Sequence, residues 1–131
     1  MKPTELMIGD WVLLFDKYPA KVEAIGDNDA FLLDTDGVRW NVGYAFIKPI
    51  ALTPETLEKN GFEDVGSEVY ECDVLPFYIW WECDRHRLGI DIEDSTYDKE
   101  NFGQMLRVPV SCVHELQHAL RLCGIEKEIV L

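Results

Sequence analysis

Residues 10–50 have the sequence DWVLLFDKYPAKVEAIGDNDAFLLDTDGVRWNVGYAFIKPI, in which short apolar runs alternate with turn residues. The runs predict five strands, at residues 10–15, 20–25, 30–34, 38–42 and 47–50. The Asp36-Gly37 pair is typical of a tight hairpin, whose central residues need positive φ. Residues 43–46 predict one helical turn before the fifth strand. Five short strands with a turn before the last predict a small SH3-like β-barrel for residues 1–52.

Residues 53–131 predict a second sheet between two helices. Thr53 as N-cap, Pro54 after it and Gly61 at the end bound a short connector helix. From Glu68 onward the apolar period is two, and this predicts a hairpin of residues 77–82 and 88–93 that turns at 84–87. A loop at 93–101, a last strand at 102–110 and a C-terminal helix at 112–123 follow.

The predicted fold class is therefore α+β. An SH3-like β-barrel subdomain at 1–52 precedes an antiparallel sheet plus C-terminal helix at 53–131. We expect the two parts to pack together as one unit, because neither part alone buries much surface.

Charge and composition restrict the classes of partner and the compartment. The 131 residues include 12 Lys and Arg against 25 Asp and Glu, a net charge of -13. Such a chain repels phosphate backbones and anionic membranes, so we expect neither nucleic acid nor a membrane as partner. The first residues lack a secretory signal, and this predicts a cytoplasmic location. The four cysteines are accordingly expected as thiols.

One motif carries chemistry. His114-Glu115-Leu116-Gln117-His118 matches H-E-x-x-H, in which a helix places two histidines one turn apart for Zn²⁺ and a glutamate activates the bound water. A catalytic zinc needs a third protein ligand. The longer form of the motif requires Gly and His where this chain has Arg121 and Gly124.

Helical angles also weigh against a zinc site. The apolar stripe of the last helix centres nearly opposite His114 and His118, so both histidines are predicted to face solvent on an amphipathic helix. We therefore assign no catalytic, cofactor-binding or metal-binding residue and expect no cofactor. A zinc-dependent hydrolase that uses His114, Glu115 and His118 remains the alternative.

Two acidic segments match cation sites less closely. Asp34-Thr35-Asp36-Gly37 is interpreted as a hairpin turn, because Leu32 stands where a calcium loop has its first carboxylate. A further group is interpreted as solvated surface: Asp91, Glu93, Asp94, Asp98 and Glu100.

Three segments of the chain resemble an uncharacterised family of small proteins from gut anaerobic bacteria and their integrated phages. They are ELMIGDWV at 5–12, IKPIALTPE at 47–55 with Asn60-Gly61-Phe62, and VHELQHAL at 113–120. In that family the last segment often has Gln where this chain has Glu115, a residue that a zinc peptidase cannot lose. The resemblance implies no known activity, and it implies a phage or mobile-element setting.

The leading hypothesis is a non-enzymatic interaction module with an unidentified protein partner. The zinc hydrolase is the first alternative. The second alternative is an acidic decoy that imitates DNA, which the net charge and the suspected setting favour. No sequence feature predicts the oligomeric state.

Overall fold

The computed structural model describes residues 1–93 and 102–131 and confirms the α+β class. That part of the chain contains two five-stranded antiparallel sheets, two α-helices and two short 3-10 helices. The residues divide into two compact units. Unit 1 contains Met1–Ala51 and Cys112–His114, and unit 2 contains Leu52–Ser111 and Glu115–Leu131. That both parts pack together as one unit stays a prediction.

The first sheet is a curled half-barrel in unit 1. Its strands are β1 (Trp11–Leu14), β2 (Tyr18–Ile25), β3 (Asp29–Asp34), β4 (Arg39–Gly43) and β5 (Ile47–Lys48). Consecutive strands β1 to β4 form a meander, and β5 returns to pair with β1, which gives the order β4-β3-β2-β1-β5. A 3-10 helix at Tyr44–Phe46 precedes β5, as predicted. The predicted small five-stranded barrel is thus present as a curled half-barrel sheet.

Alternating side chains of these strands build the core of unit 1. Val12 and Leu14 on β1 are fully buried, whereas Trp11 and Leu13, which alternate with them, are partly exposed, as expected for a strand with one face on the core. The other buried members of this cluster are Leu6, Ala20, Val22, Ala30, Leu32, Val42 and Ile47.

Unit 2 opens with helix α1 (Pro54–Lys59), the predicted connector helix. The Thr53 hydroxyl accepts a hydrogen bond from the N–H of Thr56 at 3.3 Å, which is the expected N-cap contact. At the other end Gly61 has φ +86, and the N–H of Phe62 donates to the carbonyl of Leu57 at 3.0 Å. Leu57 and Phe62 are both buried, so the helix is fixed at both ends.

The strands of the second sheet are β6 (Glu63–Asp64), β7 (Val69–Val74), β8 (Phe77–Glu82), β9 (Arg87–Glu93) and β10 (Phe102–Pro109). Their order in the sheet is β10-β9-β8-β7-β6. The predicted hairpin of β8 and β9 is confirmed, and so is the last strand. Strand β7 extends the sheet on the other side of β8. The loop predicted at 93–101 lies, apart from Glu93, outside the described residues, as do Asp94, Asp98 and Glu100.

The two faces of this sheet differ in burial and in residue type. The row Cys72, Ile79, Ile90 runs across neighbouring strands on the buried face, where Trp81 is also fully buried. The Nε1–H of Trp81 donates to the carbonyl of Val110 at 2.9 Å, which satisfies the one polar atom of that side chain. The opposite face, which we call the outer face, carries charged and aromatic residues.

Helix α2 (Val113–Leu122) confirms the predicted C-terminal helix. Among the described residues, no helix has both the length and the apolar character needed to cross a membrane.

Candidate functional site

Helix α2 places the H-E-x-x-H residues differently from the prediction. His114 is buried, with 7% of its surface exposed, and His118 is half-buried. The prediction that both histidines face solvent is therefore wrong. Gln117 is buried as well, so the buried arc of the helix is wider than its apolar stripe. His114 and Gln117 both take part in further interactions, although Nδ1 of His114 has no hydrogen-bond partner within the described residues.

Glu115 has a local structural role at the start of α2. Its Oε1 accepts hydrogen bonds from the N–H of Ser111 at 3.2 Å and from the Ser111 hydroxyl at 3.1 Å. Glu115 is the third residue of the helix, where a carboxylate is favoured by the helix dipole. In the zinc motif this carboxylate activates water. Here it accepts hydrogen bonds from Ser111 and so stabilises the N-terminus of α2.

A zinc site needs more ligands than the motif supplies. A catalytic zinc takes three protein ligands. Within residues 1–93 and 102–131, no group of three or more His, Cys, Asp or Glu side chains is arranged to hold a metal ion.

Glu115 and His118 do share a groove. Its volume is ≈260 Å³, and it lies between β10 and α2. The remaining lining residues are apolar: Leu106, Val108, Pro109, Val110, Ala119 and Leu122. The groove offers a carboxylate and an imidazole to a bound molecule, but the described residues that line it include no Ser, Cys or Lys nucleophile.

A different feature of unit 1 lies at the turn after β1. Phe15 and Asp16 have φ of 53° and 58°, and the N–H of Lys17 donates to the carbonyl of Leu14 at 3.0 Å. A type I′ hairpin turn requires positive φ at both central residues and therefore favours Asn and Gly. For a bulky aromatic residue this conformation is an outlier. Phe15 is nevertheless 41% exposed, so burial does not account for its presence there.

The Phe15 ring belongs to an aromatic cluster. Its centroid lies 5.7 Å from that of Trp40 in an edge-on arrangement and 5.4 Å from that of Phe46. The N–H of Phe15 also donates to the carbonyl of Phe46 at 3.0 Å. Phe46 is 53% exposed. We call Phe15, Trp40 and Phe46 the aromatic surface.

Neighbouring polar contacts hold the aromatic surface in place. The Nε1–H of Trp40 donates to Oδ2 of Asp34 at 2.9 Å. The Trp40 hydrogen bond, followed by that from the N–H of Val38, lowers the pKa of Asp34 below its ordinary value. The Asp34 carboxylate therefore stabilises the predicted hairpin turn at 34–37 and restricts the orientation of the Trp40 indole. On the other side Asp16 forms an exposed ion pair with Lys48 at 2.6 Å.

The sequence analysis does not predict this surface, because it places Phe15 at the end of the first strand. The available signal was a large apolar residue beside Asp16-Lys17-Tyr18-Pro19, a segment of turn residues.

No protein-family model, no curated protein and no solved structure matches this chain.

Proposed function

We propose that the chain is a non-enzymatic interaction module whose half-barrel binds a protein partner through the aromatic surface. The observation that carries the proposal is Phe15, an exposed aromatic residue in a left-handed turn position.

The backbone conformation of Phe15 works against stability. A non-glycine residue in the left-handed region costs about 1–2 kcal/mol, and Asn or Gly tolerates the same turn better. Backbone strain that is kept in a folded protein clusters at functional sites. Selection for stability alone therefore does not favour phenylalanine here, whereas selection for an exposed aromatic ring does.

The aromatic surface also has the chemistry of a binding hot spot. Trp and other aromatic side chains bring a large contact area with few rotatable bonds, and they are enriched where interface residues contribute most to affinity. The contacts among Phe15, Trp40 and Phe46 restrict these rings before any partner binds. A preorganised surface of this kind loses less entropy on association.

The setting of the partner is part of the proposal. We propose a cytoplasmic partner. The resemblance to small proteins of gut anaerobes and their integrated phages supports a phage or mobile-element context.

Affinity capture from the source cells at two salt concentrations tests the proposal. A partner held by apolar contacts is retained at both ~0.05 M and ~1 M salt, because charge screening does not weaken apolar burial. An acidic decoy that imitates DNA instead retains its DNA-binding partners only at the lower salt. Retention of no protein at either salt would contradict the proposed function.

A further inference from the structure

The outer face of the second sheet contains a pocket of ≈360 Å³. Strands β7, β8 and β9 each contribute to its wall, and the residues are Glu71, Asp73, Tyr78, Ile79, Trp80 and Asp91. Strand register sets their spacing, since Glu71 lies opposite Trp80, and Asp73 lies opposite Tyr78, which in turn pairs with Asp91. Aromatic rings and carboxylates therefore alternate across the pocket.

A guanidinium group of the chain itself, that of Arg107, already lies on this face. The guanidinium of Arg107 lies 4.8 Å from the centroid of the Trp80 ring. One nitrogen of the same guanidinium contacts Oδ1 of Asp91 at 2.5 Å, and the Trp80 Nε1–H donates to Oδ2 of Asp91 at 3.3 Å. The side chains of Arg107 and Asp91 are only 20% and 17% exposed. A guanidinium between an indole and a carboxylate is thus already a stable arrangement here.

Two further carboxylates line the pocket beyond this internal contact. Glu71 and Asp73 are exposed, and neither forms an ion pair with any residue in the described part of the chain. Tyr78 lies between Asp73 and Asp91 in the strand register, so an aromatic ring stands beside the carboxylate of Asp73. Arg107 is held by an aromatic ring and a carboxylate, those of Trp80 and Asp91. The pocket contains a second pair of the same kind, Tyr78 and Asp73.

We propose that this pocket binds an arginine side chain of a protein partner, stacked on the ring of Tyr78 and paired with Glu71 and Asp73. The guanidinium suits the site because its flat face stacks on aromatic rings while its edge donates to carboxylates, which an ammonium group cannot do equally well. The field of unit 2 favours such a partner too, because residues 52–131 hold 17 Asp and Glu against 7 Lys and Arg.

This inference does not rest on the aromatic surface of unit 1. A Phe15→Asn variant is expected to bind an arginine peptide as the parent does, so that the two proposals fail separately.

The test measures binding of fluorescein-labelled tetra-arginine and tetra-lysine peptides by fluorescence anisotropy at ~0.05 M salt. Glu71→Gln with Asp73→Asn removes the two carboxylates and keeps the shape of both side chains. Glu55→Gln with Glu58→Gln is the matched control, since it removes the same charge from exposed positions of α1 in the same unit. Circular dichroism checks that both variants are folded.

We expect the tetra-arginine peptide to bind the parent more tightly than the tetra-lysine peptide does. The pocket variant should weaken binding of tetra-arginine by about tenfold or more, through loss of two charge-assisted contacts, and the control by less than about twofold. In the parent, the indole N–H resonance of Trp80, assigned with Trp80→Phe, should shift when the peptide is added. Absence of binding, equal affinity for both peptides, or equal weakening by the two double variants would each overturn the proposal.

Discussion

The indole of Trp80 lies against the backbone at Gly89, so close that a Cβ atom on Gly89 would approach the Cε2 atom of Trp80 to 2.0 Å. The two residues are direct partners in the pairing of β8 and β9. The missing side chain at Gly89 leaves room for the ring, which places it beneath the guanidinium of Arg107. Gly89 is thus required by the side chain opposite it.

Gly89→Ala is expected to lower the free energy of unfolding by about 1–3 kcal/mol, because the methyl group forces the Trp80 ring away. Urea denaturation measures the change. Gly43→Ala is the control, since a Cβ at Gly43 meets only the carbonyl of Asn28, at 4.0 Å. That variant should stay within about 0.5 kcal/mol of the parent. Equal losses in both variants would contradict this account of Gly89.

Asn60 connects helix α1 to the segment around Val130. Its amide nitrogen donates to the carbonyls of Thr56 at 2.7 Å and Val130 at 2.8 Å, and its oxygen accepts from the N–H of Val130 at 2.8 Å. Asn60→Asp keeps the acceptor oxygen and removes both N–H donors. This substitution should therefore lower the free energy of unfolding by about 1–3 kcal/mol. Asn41→Asp, at an exposed site on β4, serves as the control in the same denaturation experiment.

Asp34 makes the stability of the half-barrel depend on pH. Its pKa is lowered in the folded state, chiefly by the Trp40 hydrogen bond. The contribution of Asp34 is therefore present at pH above the ordinary value of 3.8 and is lost as the pH falls through the lower, folded-state pKa. Thermal unfolding between pH 7 and pH 2 should show a smaller acid-induced loss in Asp34→Asn than in the parent. If Asp27→Asn, in a neighbouring turn, reduces that loss equally, the effect does not belong to Asp34.

The motif on α2 gives a prediction about catalysis. Because Glu115 contacts Ser111 at the helix start, Glu115→Gln should reduce stability by no more than about 1 kcal/mol and leave peptide hydrolysis at the level of a protein-free blank, as in the parent. Urea denaturation measures the stability, and a fluorogenic peptide assay, paired with metal analysis of protein purified without added zinc, measures the hydrolysis. One zinc per chain, together with hydrolysis that collapses in Glu115→Gln, would support the zinc hydrolase instead.

The sequence predicted those elements whose signals are local. Thr53, Pro54 and Gly61 bound α1 because capping and left-handed backbone depend only on neighbouring residues. The strands of the half-barrel were predicted to within two residues at each end, because one face of each is apolar and the other is not.

Features that depend on distant residues were not predictable in the same way. His114 carries no apolar signal, and its burial results from tertiary contacts that helical periodicity does not contain. The place of Phe15 in a left-handed turn contradicts local preference, and the partners of its ring come from β4 and the following 3-10 helix. Strand register likewise brings Glu71, Trp80 and Gly89 into one row. Register is a property of pairing rather than of any single strand.

The most direct test of the proposed function compares partner retention by the parent, Phe15→Asn and Phe31→Ala. Phe15→Asn removes the exposed ring but suits the left-handed turn, so relief of about 1–2 kcal/mol of strain offsets the lost ring contacts and stability stays near that of the parent. Phe31→Ala removes a ring of similar exposure, 45%, from β3 outside the aromatic surface. Quantitative affinity capture at ~1 M salt should show retention lost in Phe15→Asn and kept in Phe31→Ala. Full retention by Phe15→Asn, or an equal loss in Phe31→Ala, would contradict the account.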